Sequence, residues 1–169
     1  MANELSSNSS LPAQGGGAAP AEPTGTSAAA VSMNLQTAMD SINRDDFASA
    51  LDALNRAIID ADQIQLAECF ALRGFVRLRL EQFEHAEDDC TQSIRRRGDD
   101  PETLTWRAAA RAERQNWRGA FEDLDRASRA DPSQSGVYAR TMENYLPAAL
   151  ETFEKQLQTG KRMTKAYYD

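Results

Sequence analysis

DDFASALDAL (residues 45–54), EQFEHAEDDC (81–90) and QNWRGAFEDL (115–124) are one phrase written three times. In each copy an aromatic (Phe47, Phe83, Trp117) is followed three residues later by alanine (Ala50, Ala86, Ala120). Four residues on comes an apolar side chain (Leu54, Cys90, Leu124), and three beyond it a small one (Ala57, Ser93, Ala127). Steps of three and four place these positions on one face of a helix. The first and second copies lie 36 residues apart and the second and third 34. A period of this size marks stacked helical repeats, each of which needs its neighbours to cover its apolar face.

Outward from the phrase, the chain reads as helix pairs. The pairs are predicted at 32–43 with 47–60, 66–80 with 83–96, and 101–114 with 117–130. Asp100-Pro101 is a helix cap followed by proline in the first turn. Gly98 and Asp131-Pro132 mark helix ends, and Arg95-Arg96-Arg97 suit the negative end of a helix dipole. The repeats therefore occupy about 32–64, 67–100 and 101–134, with an end unit at 135–160. In that unit Val137, Tyr138, Met142 and Tyr145 share a face. Pro147 is expected to begin a further helix carrying Leu150, Phe153 and Leu157 and ended by Gly160, with a loose tail at 161–169. Residues 1–31 are rich in Ala, Ser, Gly and Pro, with two charges, Glu4 and Glu22. So little bulky apolar surface does not offset the entropy of ordering, and the segment is expected to be a disordered tail.

The 169 residues carry 26 Asp and Glu against 19 Lys and Arg, a net charge of −7. That sign opposes a nucleic-acid backbone, and nucleic acid is not expected as a partner. No apolar run is long enough to span a membrane, and the start lacks a basic, then apolar, secretory leader. Cys69 and Cys90 fall at buried helical positions and read as reduced thiols of a cytoplasmic protein. Catalysis is not expected. The single histidine, His85, sits among Glu84 and Glu87 on a helix surface, and one histidine cannot build the usual zinc site. No phosphate loop or nucleophile elbow would give Cys69 and His85 a role, and no cofactor, metal or small-molecule substrate is implied.

The repeats resemble the tetratricopeptide repeat family, whose signature runs W-x2-L-G-x2-Y, then A-x3-F, A and P. Phe70, Gly74, Ala86, Cys90 and Ser93 match in the second copy. Leu104, Ala108, Ala120, Leu124, Ala127 and Pro132 match in the third, and Ala38, Ala50, Leu54 and Ala57 in the first. The resemblance implies an all-α superhelix of three helix hairpins closed by C-terminal capping helices. Arg73 and Arg107 depart from the leucine slot, and Arg77 and Arg111 from the tyrosine slot, while Asp89 and Asp123 recur on the second helices. This resembles an Arg/Asp subclass, in which Asp89 is expected to pair with Arg73 or Arg107.

In that family the first helix of each repeat, helix A, lines a concave groove. Carried over by position, the groove would hold Met39 and Ile42, then Glu68, Leu72, Phe75, Leu78 and Arg79, then Glu102, Trp106, Ala109 and Glu113. Leu35, Ala71 and Ala112 fall on the same carried-over face. An apolar centre with a charged margin suits a protein interface, although the same residues also suit packing against the next repeat. The resemblance implies a non-catalytic protein–protein interaction module, an adaptor or scaffold that takes a peptide or a helix. A dedicated client chaperone of the secretion type and a self-associating homo-oligomer are the other readings. Some family members clamp the carboxylate of chaperone tails with Lys, Asn and Arg. Here those positions are Leu35, Met39, Leu72, Glu102 and Trp106, which cannot hold a carboxylate.

Overall fold

A computed structural model describes residues 25–168, with side chains from 28 to 161. The chain forms α1 (Gly25–Ile42), α2 (Phe47–Asp60), α3 (Gln63–Arg79), α4 (Phe83–Arg97), α5 (Pro101–Glu113), α6 (Trp117–Ala130), a 3-10 turn at Pro132–Gln134, and α7 (Ser135–Tyr168). There is no strand among the described residues. The most extensive contacts are α1 with α2, α3 with α4 and α5 with α6, and the hairpins stack through α2 on α3 and α4 on α5. The expected all-α superhelix of three hairpins is the fold. Consecutive A helices touch (α1 with α3, α3 with α5), whereas no comparable contact joins α2 with α4 or α4 with α6. The stack therefore bends towards the A-helix face.

Each hairpin turns at one left-handed residue, Asp45, Glu81 or Gln115, with φ of 57°, 59° and 60°. The next residue begins the second helix: Asp46 and Asn116 accept from the backbone N–H three residues on, at Ser49 and Gly119.

Three boundaries differ from the expectation. Helix α1 begins at Gly25, so residues 25–31 are not part of a tail; the rest of the expected tail, 1–24, lies outside the described residues. Ala28, Ala29 and Ala30 are strong helix formers, and Val31 is buried in the first core, which extends the helix backwards. Helix α3 starts at Gln63 because Asp62 caps it: its carboxylate accepts from Ile64 and Gln65 N–H, while Gln65 accepts from Asp62 N–H. The end unit is one helix of 34 residues, running through Pro147 and Gly160 and through the expected loose tail to Tyr168. Tyr145 meets the Trp117 ring at a tilt on one side of Pro147, and Thr152 accepts from the Trp117 indole N–H at 3.0 Å on the other. Anchoring on both sides outweighs the hydrogen bond that proline removes.

Two apolar clusters form the core. The first joins α1, α2 and α3 through Val31, Leu35, Ala38, Ala50, Leu54, Ala57, Cys69 and Val76. The second joins α5, α6 and α7 through Leu104, Ala108, Trp117, Leu124, Tyr138 and Ala149. Within the second and third hairpins, charge also ties the two helices together. Arg73 donates to both oxygens of Asp89 at 2.8 Å, and Arg77 adds a third bond at 2.7 Å. One repeat on, Arg107 donates to both oxygens of Asp123 at 2.8 and 2.6 Å, and Arg111 adds a third at 2.8 Å. The remaining arms reach the preceding repeat: Arg73 to Asn55 at 2.9 Å and Arg107 to Thr91 at 3.1 Å. Of the two expected partners, Asp89 takes Arg73. The copies differ at one atom. Arg111 Nε donates to Glu87 at 2.9 Å, but Arg77 Nε is buried without a partner, because the position equivalent to Glu87 is Leu51.

Gly74 marks the closest approach of α3 to α4. A Cβ built there would lie 2.6 Å from Cys90 Sγ and 3.3 Å from Ala86 O. Gly74→Ala is expected to destabilise by about 1–3 kcal/mol in urea unfolding, despite its gain in helix propensity. No loss would mean that α4 moves away without strain.

Both thiols are buried and free. Burial pushes Cys69 from its ordinary 9.0 up to about 11, and Cys90 up to about 12. Because the unfolded chain ionises first, the thiols' contribution is fully present below pH 9.0 and is lost as pH rises through about 11 and 12. A disulfide-exchange reagent at neutral pH should therefore label neither cysteine in the folded protein and both in denaturant. Labelling of the folded protein would show that the α3–α4 contact opens.

Candidate functional site

Helices α1, α3 and α5 supply the face towards which the stack bends. Its centre is an aromatic ladder that crosses the repeats. The Phe47 ring meets Phe75 edge-on with centroids 6.4 Å apart, and Phe75 meets Trp106 at 5.2 Å. All three rings keep part of their surface exposed. Leu72, Phe75 and Ile42 pack one side against the first core cluster and leave the other partly open. Met39 is 45% exposed, which is high for so apolar a side chain. Leu78, Arg79, Ala109 and Glu113 line one depression of about 500 Å³, together with Glu81 and Phe83. The Arg79 guanidinium lies 4.9 Å above the Phe47 ring, a cation held by an aromatic face.

Of the eleven residues expected at a groove, Phe75 and Trp106 lie in the ladder, Leu78, Arg79, Ala109 and Glu113 line the depression, Ile42 and Leu72 flank the first core cluster, and Met39 and Glu102 are exposed on α1 and α5. Glu68 does not join the depression. It lines a separate cavity of about 570 Å³ with Gln63, Ile64, Ala67 and Arg95, Arg96 and Arg97, where α3 begins and α4 ends. Leu35, Ala71 and Ala112, on the same carried-over face, are buried and belong to the core. Phe47, Glu81 and Phe83 were not among the groove residues read from the sequence, because they belong to the turn and the second helix. Their signal was the recurring aromatic itself, which also serves the open face.

Charge stands at the margin. Glu102 and Glu113 are exposed at opposite ends of α5 and make no ion pair among the described residues. Glu68 also lacks one. No group of three His, Cys, Asp or Glu among the described residues has metal-binding geometry. His85 is exposed on α4, while Cys69 is buried in α3 with its thiol held neutral, so the two do not form a nucleophile and base. No helix among the described residues is long and apolar enough to cross a membrane.

No protein-family model matches the sequence, and no curated protein matches it. Solved structures do. The tetratricopeptide repeat domain of Arabidopsis OM64 superposes with a TM-score of 0.65 at 18% identity, covering 70% of this chain and 98% of that one. The first such domain of Spaghetti (RPAP3), bound to the HSP90 peptide SRMEEVD, gives 0.65 at 19% identity, covering 71% and 93%. The TPR2B domain of yeast Sti1, in complex with an Hsp70 peptide, gives 0.62 at 19%, covering 73% and 98%. The chain has the tetratricopeptide repeat fold, with Arg–Asp pairs inside its second and third hairpins and an extended end helix.

Proposed function

We propose that the chain is a non-catalytic, cytoplasmic protein–protein interaction module, an adaptor or assembly factor that takes a peptide or helix of another protein across α1, α3 and α5. The observation that carries this reading is the partly exposed ladder of Phe47, Phe75 and Trp106 on the face towards which the stack bends. Apolar contacts would come from Met39, Ile42, Leu72, Phe75, Leu78, Trp106 and Ala109. Glu68, Arg79, Glu102 and Glu113 would filter partners by charge. Two structural neighbours hold chaperone peptides, which supports a peptide ligand for this fold. The ligand here is not a chaperone tail of the clamped kind, since Leu35, Met39, Leu72, Glu102 and Trp106 offer no basic group to a carboxylate.

Trp106→Ala, and separately Met39→Glu, should weaken partner capture from native lysate by about 10- to 30-fold while helicity is kept, the size of a removed hot spot. Capture of the same proteins by wild type and both folded variants would move the binding surface elsewhere.

A further inference from the structure

The molecule carries two complementary orphans. One is the groove. The other is the exposed flank of α7, where Leu146, Leu150, Phe153 and Leu157 are 45%, 56%, 48% and 61% exposed. Their spacings of four, three and four form a straight apolar seam on one helix. The adjoining face, with Tyr138 and Ala149, is buried in the second core cluster, and the seam runs beside it on the flank that stays exposed. Helix α7 touches α6 and the 3-10 turn, and beyond Thr152 it borders a hollow of about 480 Å³ at the α5–α6 turn. From Phe153 to Tyr168 it is an arm of 16 residues, about 24 Å at 1.5 Å per residue. A helical arm of that length is marginal in water without a surface to cover its apolar stripe.

We propose that the α7 seam of one copy docks in the A-helix groove of a second copy, so that the chain self-associates. This rests on the reading of the groove as a binding face and commits it to an occupant. Three matches carry it. An amphipathic helix is the natural filling of an apolar groove, presenting anchors at helical spacing. Leu146 to Leu157 spans 11 residues, about 17 Å, close to the width of three A helices at 8–10 Å separation. The charges also fit: the groove margin carries Glu102 and Glu113 beside one cation, Arg79, and the arm's sequence from Phe153 to Tyr168 holds four Lys and Arg against one acid, Glu154. The charge match predicts that added salt weakens association.

The test is sedimentation velocity of the full chain over about 1–100 μM, with wild type and two surface variants. The seam variant is Leu150→Glu with Phe153→Glu, and both positions are exposed. The groove variant is Glu102→Lys with Glu113→Lys, also exposed, so neither tests the core. Wild type should associate with rising concentration, and each variant alone should weaken this by about 10-fold or more. An equimolar mixture of the two variants should regain association, because the groove variant still has its seam and the seam variant its groove. A wild type that stays monomeric would overturn self-docking and leave the groove to another protein. Association lost in the seam variant but kept in the groove variant, with no recovery on mixing, would overturn it in favour of seam-to-seam pairing.

Discussion

Asp123→Ala should cost about 3–5 kcal/mol of unfolding free energy, read as a lower urea midpoint with little change in slope. The carboxylate is buried and accepts from Arg107 twice and from Arg111 once. Truncation leaves the Arg107 guanidinium, 6% exposed, without its counter-charge between the two helices of the third hairpin. The penalty is that of a stranded cation, not the net worth of the pair. Two comparisons sharpen it. Asp89→Ala should cost less, since Arg73 and Arg77 are 16% and 18% exposed and can turn towards water. Adding Arg107→Met to Asp123→Leu should recover much of the loss, because apolar packing can replace a buried ion pair. An Asp123→Ala protein as stable as wild type would show that the pair is solvated.

Trp117→Ala should cost about 3–5 kcal/mol, with its effect concentrated at the C-terminal end. Trp117 is buried in the second core, meets Tyr145 at a tilt with centroids 6.0 Å apart and donates to Thr152. These contacts hold α7 across Pro147. In a stack where each unit touches only its neighbours, loss of the last interface should leave the first hairpins in place. Amide exchange should therefore accelerate over 138–152 while α2 and α3 stay protected. Uniform acceleration would instead mean that the three hairpins and α7 open as one unit.

The hairpins were legible because their code is local. The aromatic, the alanine three residues on and the small residue at the end of each phrase recur where two helices must approach closely, and Gly74 against Cys90 shows why. The Arg–Asp pairs were legible as an alternative between two arginines, since only packing brings Arg73 onto Asp89. What escaped was tertiary. Gly25 begins a helix because Val31 has a core to fill, and Pro147 fails to break one because Trp117 grips both sides. The rotation of each A helix was not legible. Residues one position apart differ by about 100° around the axis, so Ala71 fell to the core while Leu72 kept an open side, and Ala112 is buried beside the exposed Glu113. The turn aromatics Phe47 and Phe83 were read for their spacing, which says nothing of the second face they present.

The most direct measurement places a photo-crosslinking phenylalanine analogue at Met39, on the A-helix face, or at Glu122, exposed on α6. Adducts formed in the native protein, with other proteins or with a second copy, are then mapped by mass spectrometry. Strong adducts from position 39 and none from 122 are expected of a module that binds across its A helices. Equal adducts from both positions, or adducts from 122 alone, would contradict it.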